Sequence, residues 1–172
     1  SGLFGSFWKW FYLGFRINQM VMERMEKVDI LAIGVHPDDV ELSCGGTLAL
    51  HKSLGHSFGI LDLTEGELGT RGNAEQRKKE AFRAAEILGA EFRHILNIGD
   101  GFFQHEENNL KEIIRVIRAC RPRIVFANAL SDRHPDHGRA AKLVNDACFL
   151  SGLRKVNTDY NNVNQESWRP EV

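Results

Sequence analysis

The sequence predicts a single α/β domain built on a doubly wound, mostly parallel sheet with helices on both faces. Short apolar runs of strand length alternate along the chain with longer stretches that have the periodicity of amphipathic helices. Parallel strands are joined through helices, which explains the alternation. The composition agrees, because 172 residues with 42% hydrophobic and 26% charged side chains are typical of one globular domain with its own core.

Four apolar runs are predicted to form the strands. A continuous run of apolar residues indicates a strand that is buried on both faces, as in a parallel sheet. The run at 92–97 is weaker than the others. The sequences are VDILAIGV (28–35), FGILDLT (58–64), FRHILN (92–97) and RIVFAN (123–128).

The stretches between these runs are predicted to be helices. They cover 40–54, 74–88 and 109–119, and a final helix begins near Gly138. The third stretch has the i, i+3, i+4, i+7 spacing of one helix face in Leu110, Ile113, Ile114 and Ile117. Gly55 and Gly89 follow the first two stretches, where glycine commonly ends a helix. This order of strands and helices predicts a Rossmann-like fold.

Residues 1–24 differ from the rest of the chain and are predicted to be an N-terminal extension of a domain that spans 25–172. The run LFGSFWKWFYLGF is aromatic, is interrupted by Lys9 and is shorter than the roughly 20 apolar residues of a transmembrane helix. Neither a membrane span nor a secretory signal is expected. Three interpretations stay open: an interfacial anchor, a packing or interaction segment, or non-native sequence ahead of a natural start at Met25.

The charge balance argues against nucleic acid or an anionic membrane as a partner. Lys and Arg total 22 against 23 Asp and Glu, so the formal net charge is −1. A small molecule is the expected partner. The three cysteines are widely spaced and form no C-x-x-C pair, which argues against a disulfide framework or a cysteine zinc site and favours a reducing, cytoplasmic location.

Most of the clustered His and Asp residues follow the predicted strands. In an open α/β sheet, ligands bind beyond the carboxyl ends of the strands, so these loops form the expected site. The loops are HPDD at 36–39, TEGELGTRG at 64–72, GDG at 99–101 and DRHPDH at 132–137.

The HPDD sequence indicates a metal site. Residues three apart in a turn come close together, so His36 and Asp39 can bind one ion while Asp38 faces elsewhere. His137 would complete a set of two imidazoles and one carboxylate with an open position, as in catalytic zinc sites. Asp38 would then accept a proton from water whose pKa the metal lowers. The alternative is a solvated turn in which Asp39 is a helix N-cap.

The HPDH sequence adds acid–base groups in a segment that we expect to be a polar loop. His134 can offer a protonated imidazole to an oxyanion or a leaving amine, and Asp136 can hold its tautomer. A buried structural histidine is the alternative for either imidazole taken alone.

The pairing of HPDD with HPDH in a later loop resembles the PIG-L/LmbE family of metal-dependent N-acetylglucosamine deacetylases. The stretches DILAIGVHPDDVELSCGGTLA, GILDLTEGELGTRG, DGFF and DRHPDHGRAAKLVNDACFLSGLR are most similar to its bacillithiol-biosynthesis branch. The resemblance implies a zinc-dependent hydrolase that removes acetate from N-acetylglucosaminyl-L-malate. It also implies the roles of metal ligands for His36, Asp39 and His137, of general base for Asp38, and of acid or oxyanion partner and its orienter for His134 and Asp136.

The same resemblance extends to two substrate contacts. Arg71 matches the substrate-binding arginine of the family, and its guanidinium suits a malate carboxylate or sugar hydroxyls. Asp100 matches the residue that accepts a sugar hydroxyl. A solvated arginine and an ordinary Asp-Gly turn are the alternatives.

Two properties of the whole protein also follow from the resemblance. The family's chain continues past the equivalent of Trp168, so the domain is expected to lack its C-terminal part. Family members often assemble as trimers or hexamers, which makes a homo-oligomer the expectation.

Other functions stay open at this point. Two histidines and one carboxylate also describe non-haem Fe(II) enzymes, with Fe2+ in place of zinc. A carbohydrate- or metal-binding module without activity would use the same residues. Within the family, the substrate could instead be another N-acetylglucosamine conjugate or a thiol S-conjugate.

Overall fold

The computed structural model describes residues 25–70 and 73–172. The predicted N-terminal extension lies outside the described residues, and so does Arg71. The strands are β1 (Ile30–Gly34), β2 (Phe58–Asp62), β3 (Phe92–Ile95), β4 (Ile124–Phe126) and the short β5 (Asp159–Tyr160) and β6 (Val163–Asn164). The helices are α1 (Asp39–Ser53), α2 (Ala74–Leu88), α3 (Glu107–Cys120) and α4 (Pro135–Ser151). Every predicted strand and helix of the described part is therefore present.

The first four strands form one parallel sheet in the order β3-β2-β1-β4. The central strand β1 pairs with β2 on one side and with β4 on the other. Its last residue, Gly34, is opposite Asp62, the last residue of β2. The carboxyl ends of neighbouring strands therefore meet at one edge, as the sequence predicts for a doubly wound sheet.

Helices cover both faces of this sheet. Ile30 and Ala32 of β1 belong to one apolar cluster, which includes residues of α1 and α2. The alternate residues Leu31 and Ile33 belong to the other cluster, which includes residues of α3 and α4. Because successive side chains of a strand point to opposite faces, a continuous apolar run is needed to fill both clusters. Within the described part of the chain, no helix is both long and apolar enough to cross a membrane.

The start of α4 is the main departure from the predicted elements. The helix begins at Pro135, three residues before the expected start near Gly138. His134 is the N-cap and its ring accepts the backbone N–H of Asp136. Proline suits the first position of a helix because the missing N–H has no intrahelical partner there. Asp136 and His137 therefore lie in the first turn of a helix, not in a polar loop.

The end of the chain adds two features that the sequence patterns do not predict. β5 and β6 form a short antiparallel pair. Further on, Glu171 pairs alongside β4: the N–H of Val125 donates to its carbonyl at 2.8 Å, and its own N–H donates to Arg123 at 2.9 Å. Both segments carry few apolar residues, so neither has the continuous run by which the other strands are recognised.

A buried ion-pair cluster ties four elements together beneath the carboxyl edge. Arg93 of β3 is fully buried and donates to both carboxylate oxygens of Asp62 at 2.6 and 2.9 Å. Its guanidinium also contacts Glu41 of α1 and the carbonyl of Ala81 in α2. Burial by itself would lower the pKa of Arg93, but the two carboxylates raise it above its ordinary value. The cluster holds α1 and α2 in place against β2 and β3.

We expect Arg93→Ala to lower the free energy of unfolding by about 3–5 kcal/mol, because it leaves the buried Asp62 charge without its partner. The measurement is urea unfolding of the chain. Arg83→Ala is the matched control, since Arg83 is 70% exposed and pairs with Glu86 in the same helix. Equal effects of the two substitutions would contradict the importance of the cluster.

Candidate metal centre

Three imidazoles come together at the carboxyl edge of the sheet. His36 follows β1, whereas His134 and His137 lie at the start of α4. The ring centroid of His36 is 5.0 Å from that of His134 and 5.8 Å from that of His137. The His134 and His137 rings are stacked at 4.8 Å. The two histidine-containing loops singled out in the sequence thus form one cluster.

Asp39 organises the turn after β1. It is the first residue of α1, and its Oδ2 accepts the backbone N–H groups of Val35 at 2.9 Å and His36 at 3.1 Å. The N-cap position itself is occupied by Asp38, whose side chain makes no capping hydrogen bond. The Asp39 side chain is only 12% exposed, so it is not the solvated helix cap considered as an alternative.

The surroundings of Asp39 favour its ionised form. Burial would raise its pKa, but hydrogen bonds from the ring and backbone of His36, together with the nearby His137 ring, lower the pKa to about 2. Asn128, just after β4, donates to the same carboxylate at 3.4 Å. The carboxylate is thus available as an anionic ligand at all ordinary pH values.

His36, Asp39 and His137 form a donor set that fits a metal ion. One donor atom from each lies within 4.8 Å of the others. Nδ1 of His36 is 3.6 Å from Oδ2 of Asp39, and Nε2 of His137 is 3.4 Å from Oδ1. Two imidazoles and one carboxylate are the donor set of catalytic zinc sites with an open position, and of Fe(II) sites. The three residues predicted as ligands are thus brought together.

A second group, His36, His134 and Asp136, also lies within 4.8 Å, but it suits a metal less well. The Asp136 carboxylate is fully buried and already accepts the N–H of Gly101 at 2.9 Å and a guanidinium N–H of Arg139 at 2.7 Å. Its negative charge is compensated by Arg139. Asp39, in contrast, faces two imidazoles that can share a cation with it.

The contact between Asp136 and His134 differs from the one expected. The backbone N–H of Asp136 donates to Nδ1 of His134 at 3.3 Å, whereas the carboxylate is turned toward Gly101 and Arg139. The expectation that the Asp136 carboxylate holds the His134 tautomer is thereby corrected. The helix N-terminus itself makes Nδ1 an acceptor, so a neutral His134 ring carries its proton on Nε2.

Asp38 differs from the three donor residues in that its side chain is largely exposed to solvent. Its side chain is 55% exposed, and Oδ2 lies 3.7 Å from a guanidinium nitrogen of Arg77. Arg77 also donates to the carbonyl of Gly66 at 2.6 Å and thereby connects α2 to the loop after β2. Sequence reasoning missed Arg77, because an arginine on an amphipathic helix carries no motif signal.

Asp100 is enclosed by protein groups. Oδ1 is 3.0 Å from Nε2 of His36, and Oδ2 accepts the N–H of Leu68 at 3.0 Å. The backbone N–H of Asp100 in turn donates to the Glu67 side chain at 2.7 Å. The carboxylate is 7% exposed. The loops after β2 and β3 are therefore locked together around this residue.

Two acidic neighbours raise the pKa of His36. Burial opposes the charged imidazolium, but the hydrogen bonds and charges of Asp39 and Asp100 more than offset it and raise the pKa to about 9. The metal-free centre thus holds a proton on His36 near neutral pH, and a metal cation would take the place of that positive charge.

Asp132 is a further residue of the centre to which sequence reasoning assigned no role. Its Oδ2 is 3.1 Å from Nδ1 of His137, and its Oδ1 accepts the backbone N–H of His134 at 2.8 Å. These contacts, first the backbone N–H and then the His137 ring, lower the pKa of Asp132 below its ordinary value. The available signal was its place in DRHPDH, two residues before the histidine pair.

A cleft of about 890 Å³ opens on the β4 side of the donor set. Asp39, Asp132 and His137 form part of its wall. Other lining side chains are Leu42, Cys44, Phe126 and Leu130. The cleft gives two of the three donors a common open side.

Comparison with known proteins shows which family and which proteins this chain is similar to. The model of the PIG-L family, described as GlcNAc-PI de-N-acetylase, matches residues 31–148. A diacetylchitobiose deacetylase from Thermococcus kodakarensis is 36% identical, over 84% of this chain and 57% of that protein. A 4-oxalmesaconate hydratase from Pseudomonas putida is 29% identical, over 70% of this chain and 52% of that protein.

A solved structure has the same fold. The conserved protein TT1542 from Thermus thermophilus is 44% identical and aligns with a TM-score of 0.76, over 84% of this chain and 63% of that chain. This chain thus spans between 52% and 63% of the length of these three relatives.

The raised pKa of His36 predicts a pH-dependent stability of the metal-free chain. The pKa rises from 6.5 to about 9 on folding, so the protonated ring stabilises the fold fully below pH 6.5 and loses this effect as pH rises through 9. We expect the Tm in EDTA to fall over that window, and His36→Gln to flatten the fall. His105→Gln is the control, since His105 pairs with Asp146 outside the centre. An unchanged slope in His36→Gln would contradict the assignment.

Proposed function

Because this chain belongs to the PIG-L family, we propose that it is a metal-dependent hydrolase that removes the acetyl group from the N-acetylglucosamine moiety of a small-molecule conjugate. The observation that carries the proposal is the donor set of His36, Asp39 and His137, with the exposed Asp38 next to it in sequence. The relatives are longer than this chain, so the proposal concerns the whole protein to which the chain corresponds.

The three donors would hold Zn2+, and Fe2+ suits the same ligands. When bound, such a cation polarises an amide carbonyl and makes a water molecule more acidic. Asp39 supplies the anionic ligand, and the two imidazoles leave the cation a net positive charge. A deacetylase needs this charge because its transition state is an oxyanion.

Asp38 is the proposed general base. An exposed carboxylate can take a proton from the attacking water and release it again to solvent after the reaction. Its neighbour Asp39 is mostly buried, accepts two backbone N–H groups and is the proposed anionic ligand, so it is unsuited to that task. Arg77, 3.7 Å away, would limit the range of positions open to the Asp38 side chain.

His134 is the proposed acid. The N–H of Asp136 donates to Nδ1, so the Nε2–H of the neutral ring can donate a hydrogen bond to the oxyanion. To protonate the amine as the C–N bond breaks, the ring must first be an imidazolium with a second proton on Nδ1, which replaces the contact with the Asp136 N–H. Water adds to the carbonyl carbon, Asp38 takes its proton, and the amine leaves protonated. The products are acetate and the free glucosamine conjugate.

Two substrates are the leading candidates. The resemblance to the bacillithiol-biosynthesis branch favours N-acetylglucosaminyl-L-malate, whose malate carboxylates Arg71 would bind. The name of the Thermococcus relative favours diacetylchitobiose. A thiol S-conjugate remains the third candidate. Cytoplasmic location and a homo-oligomeric state stay predictions.

A hydratase is a second candidate function. The Pseudomonas relative is named a hydratase, so this fold also supports the addition of water to a substrate without release of acetate. Its identity of 29% is below the 36% of the deacetylase, which places it second.

The proposed function predicts release of acetate from an N-acetylglucosamine conjugate by the zinc-loaded whole protein. The measurement is chromatography of acetate and free amine across the three candidate substrates, with 4-oxalmesaconate as the hydratase substrate. EDTA is expected to abolish activity and Zn2+ to restore it. Hydration of 4-oxalmesaconate with no acetate release from any conjugate would favour the second candidate.

Substitution of Asp38 separates catalysis from metal binding. We expect Asp38→Asn to lower kcat by about a hundredfold or more with its zinc content intact, because general bases contribute on that scale. His134→Ala is expected to do the same through loss of the acid. The exposed Asp159, in β5, provides the control variant Asp159→Asn. Full activity of zinc-loaded Asp38→Asn would contradict the assignment of the base.

A further inference from the structure

Two carboxylates outside the donor set contact its two imidazoles on the ring nitrogen that is farther from Asp39. Asp100 contacts His36 in this way and Asp132 contacts His137. We propose that Asp100 and Asp132 are positioning residues that fix the two rings in opposite tautomers, so that His36 binds metal through Nδ1 and His137 through Nε2. The inference rests on the proposed metal centre, and it concerns this chain's own side chains.

The contacts of His36 determine which nitrogen faces the donor set. Nδ1 lies 3.6 Å from Asp39, whereas Nε2 lies 3.0 Å from Asp100 and 3.7 Å from the buried carboxylate of Asp136. A carboxylate accepts hydrogen bonds and donates none when ionised, so Nε2 carries the proton. The lone pair of a neutral His36 is therefore on Nδ1, toward Asp39.

The contacts of His137 are reversed. Nε2 lies 3.4 Å from Asp39, and Nδ1 lies 3.1 Å from Asp132. By the same reasoning the ring proton is on Nδ1 and the lone pair is on Nε2. Each imidazole thus has one nitrogen toward Asp39 and the other toward a carboxylate that is not a member of the donor set.

Asp100 is well placed to hold a ring and poorly placed to bind a sugar. Its two oxygens are occupied by His36 and by the N–H of Leu68, and its side chain is 7% exposed. Contact with a sugar hydroxyl would require one of these oxygens to be released. The sugar-binding role that the resemblance implied for this residue stays a prediction, and the test below distinguishes it from the positioning role.

Asp132 is held by the segment that it supports. One oxygen accepts the N–H of His134 and the other faces the His137 ring. The side chain is 32% exposed, so its charge is partly solvated and the residue is not needed to fill a core. This makes Asp132 the residue at which a positioning role is most easily separated from a structural one.

A carboxylate behind a ligating imidazole fixes the ring and makes it a stronger ligand. Loss of such a partner typically weakens metal affinity about 10- to 100-fold. We expect this loss in Asp100→Asn and in Asp132→Asn. Asparagine keeps an oxygen for Leu68 or His134 and removes the negative charge, so the backbone contacts persist.

The test is the Zn2+ dissociation constant of the whole chain, measured by competition with a chromogenic chelator. The visible spectrum of the Co2+-loaded chain is the second readout, because it reports ligand geometry and does not depend on activity. Each variant is expected to bind Zn2+ about 10- to 100-fold more weakly and to shift the Co2+ bands. The metal-free Tm is expected to change little in Asp132→Asn, whereas Asp100→Asn also removes the buried ion pair with His36 and should lower it.

Asp146→Asn is the matched control. Asp146 lies 2.8 Å from Nε2 of His105, so this substitution removes the same kind of contact at a histidine outside the centre. It should leave both the Zn2+ affinity and the Co2+ spectrum as they are in the unsubstituted chain.

The outcomes separate this inference from the proposed function. Failure of the unsubstituted chain to bind Zn2+ would overturn both. Tight binding by the unsubstituted chain, with equal affinity and spectrum in both variants, would overturn the positioning roles alone. A raised KM for the sugar substrate without weaker metal binding in Asp100→Asn would return Asp100 to sugar binding. If Asp100→Asn no longer folds, as shown by the loss of its unfolding transition, the Zn2+ affinity and Co2+ spectrum of Asp132→Asn test the positioning role, because Asp132 is more exposed.

Discussion

The carboxylate of Asp39 closes the turn after β1, and the candidate metal centre is built around it. Its Oδ2 accepts two backbone N–H groups of that turn, and the two carboxylate oxygens lie 3.6 Å from the His36 ring and 3.4 Å from the His137 ring. The turn needs glycine at the end of β1, because a Cβ at Gly34 would lie 2.9 Å from the Cβ of Asp39. The end of the central strand thus determines where the Asp39 carboxylate, the proposed anionic ligand, lies, and the other loops are arranged about it.

Buried and exposed groups have different tasks in this centre. Asp100 and Asp136 are almost fully buried, and backbone N–H groups, arginine or histidine satisfy their oxygens. Such contacts compensate for the loss of water and hold the loops rigid. Asp38 and His134, to which we assign proton transfer, are exposed. Carboxylates that hold the loops and rings in place are enclosed, and groups that must exchange protons with solvent are not.

Much of the fold follows from local patterns. The apolar run of β1 is continuous because the strand fills two clusters, one on each face of the sheet. The start of α4 lies earlier than the patterns predict, because HPDH contains polar residues that are typical of loops. Proline at the first helical position and a histidine cap are weaker signals than apolar periodicity, and the ring of His134 becomes a cap only when the helix is present.

The amino-acid sequence alone predicts a parallel sheet with His36, Asp39 and His137 at one edge of it, since the carboxyl ends of parallel strands converge there. The group that each carboxylate contacts became known only from the folded chain. Asp100 is 64 residues from His36, and Gly101 is 35 residues from Asp136. Such pairs depend on strand register and on the direction in which each loop leaves the sheet. The spacing of residues along the chain does not predict the strand register or the direction of a loop, because both depend on packing between elements that are distant in sequence.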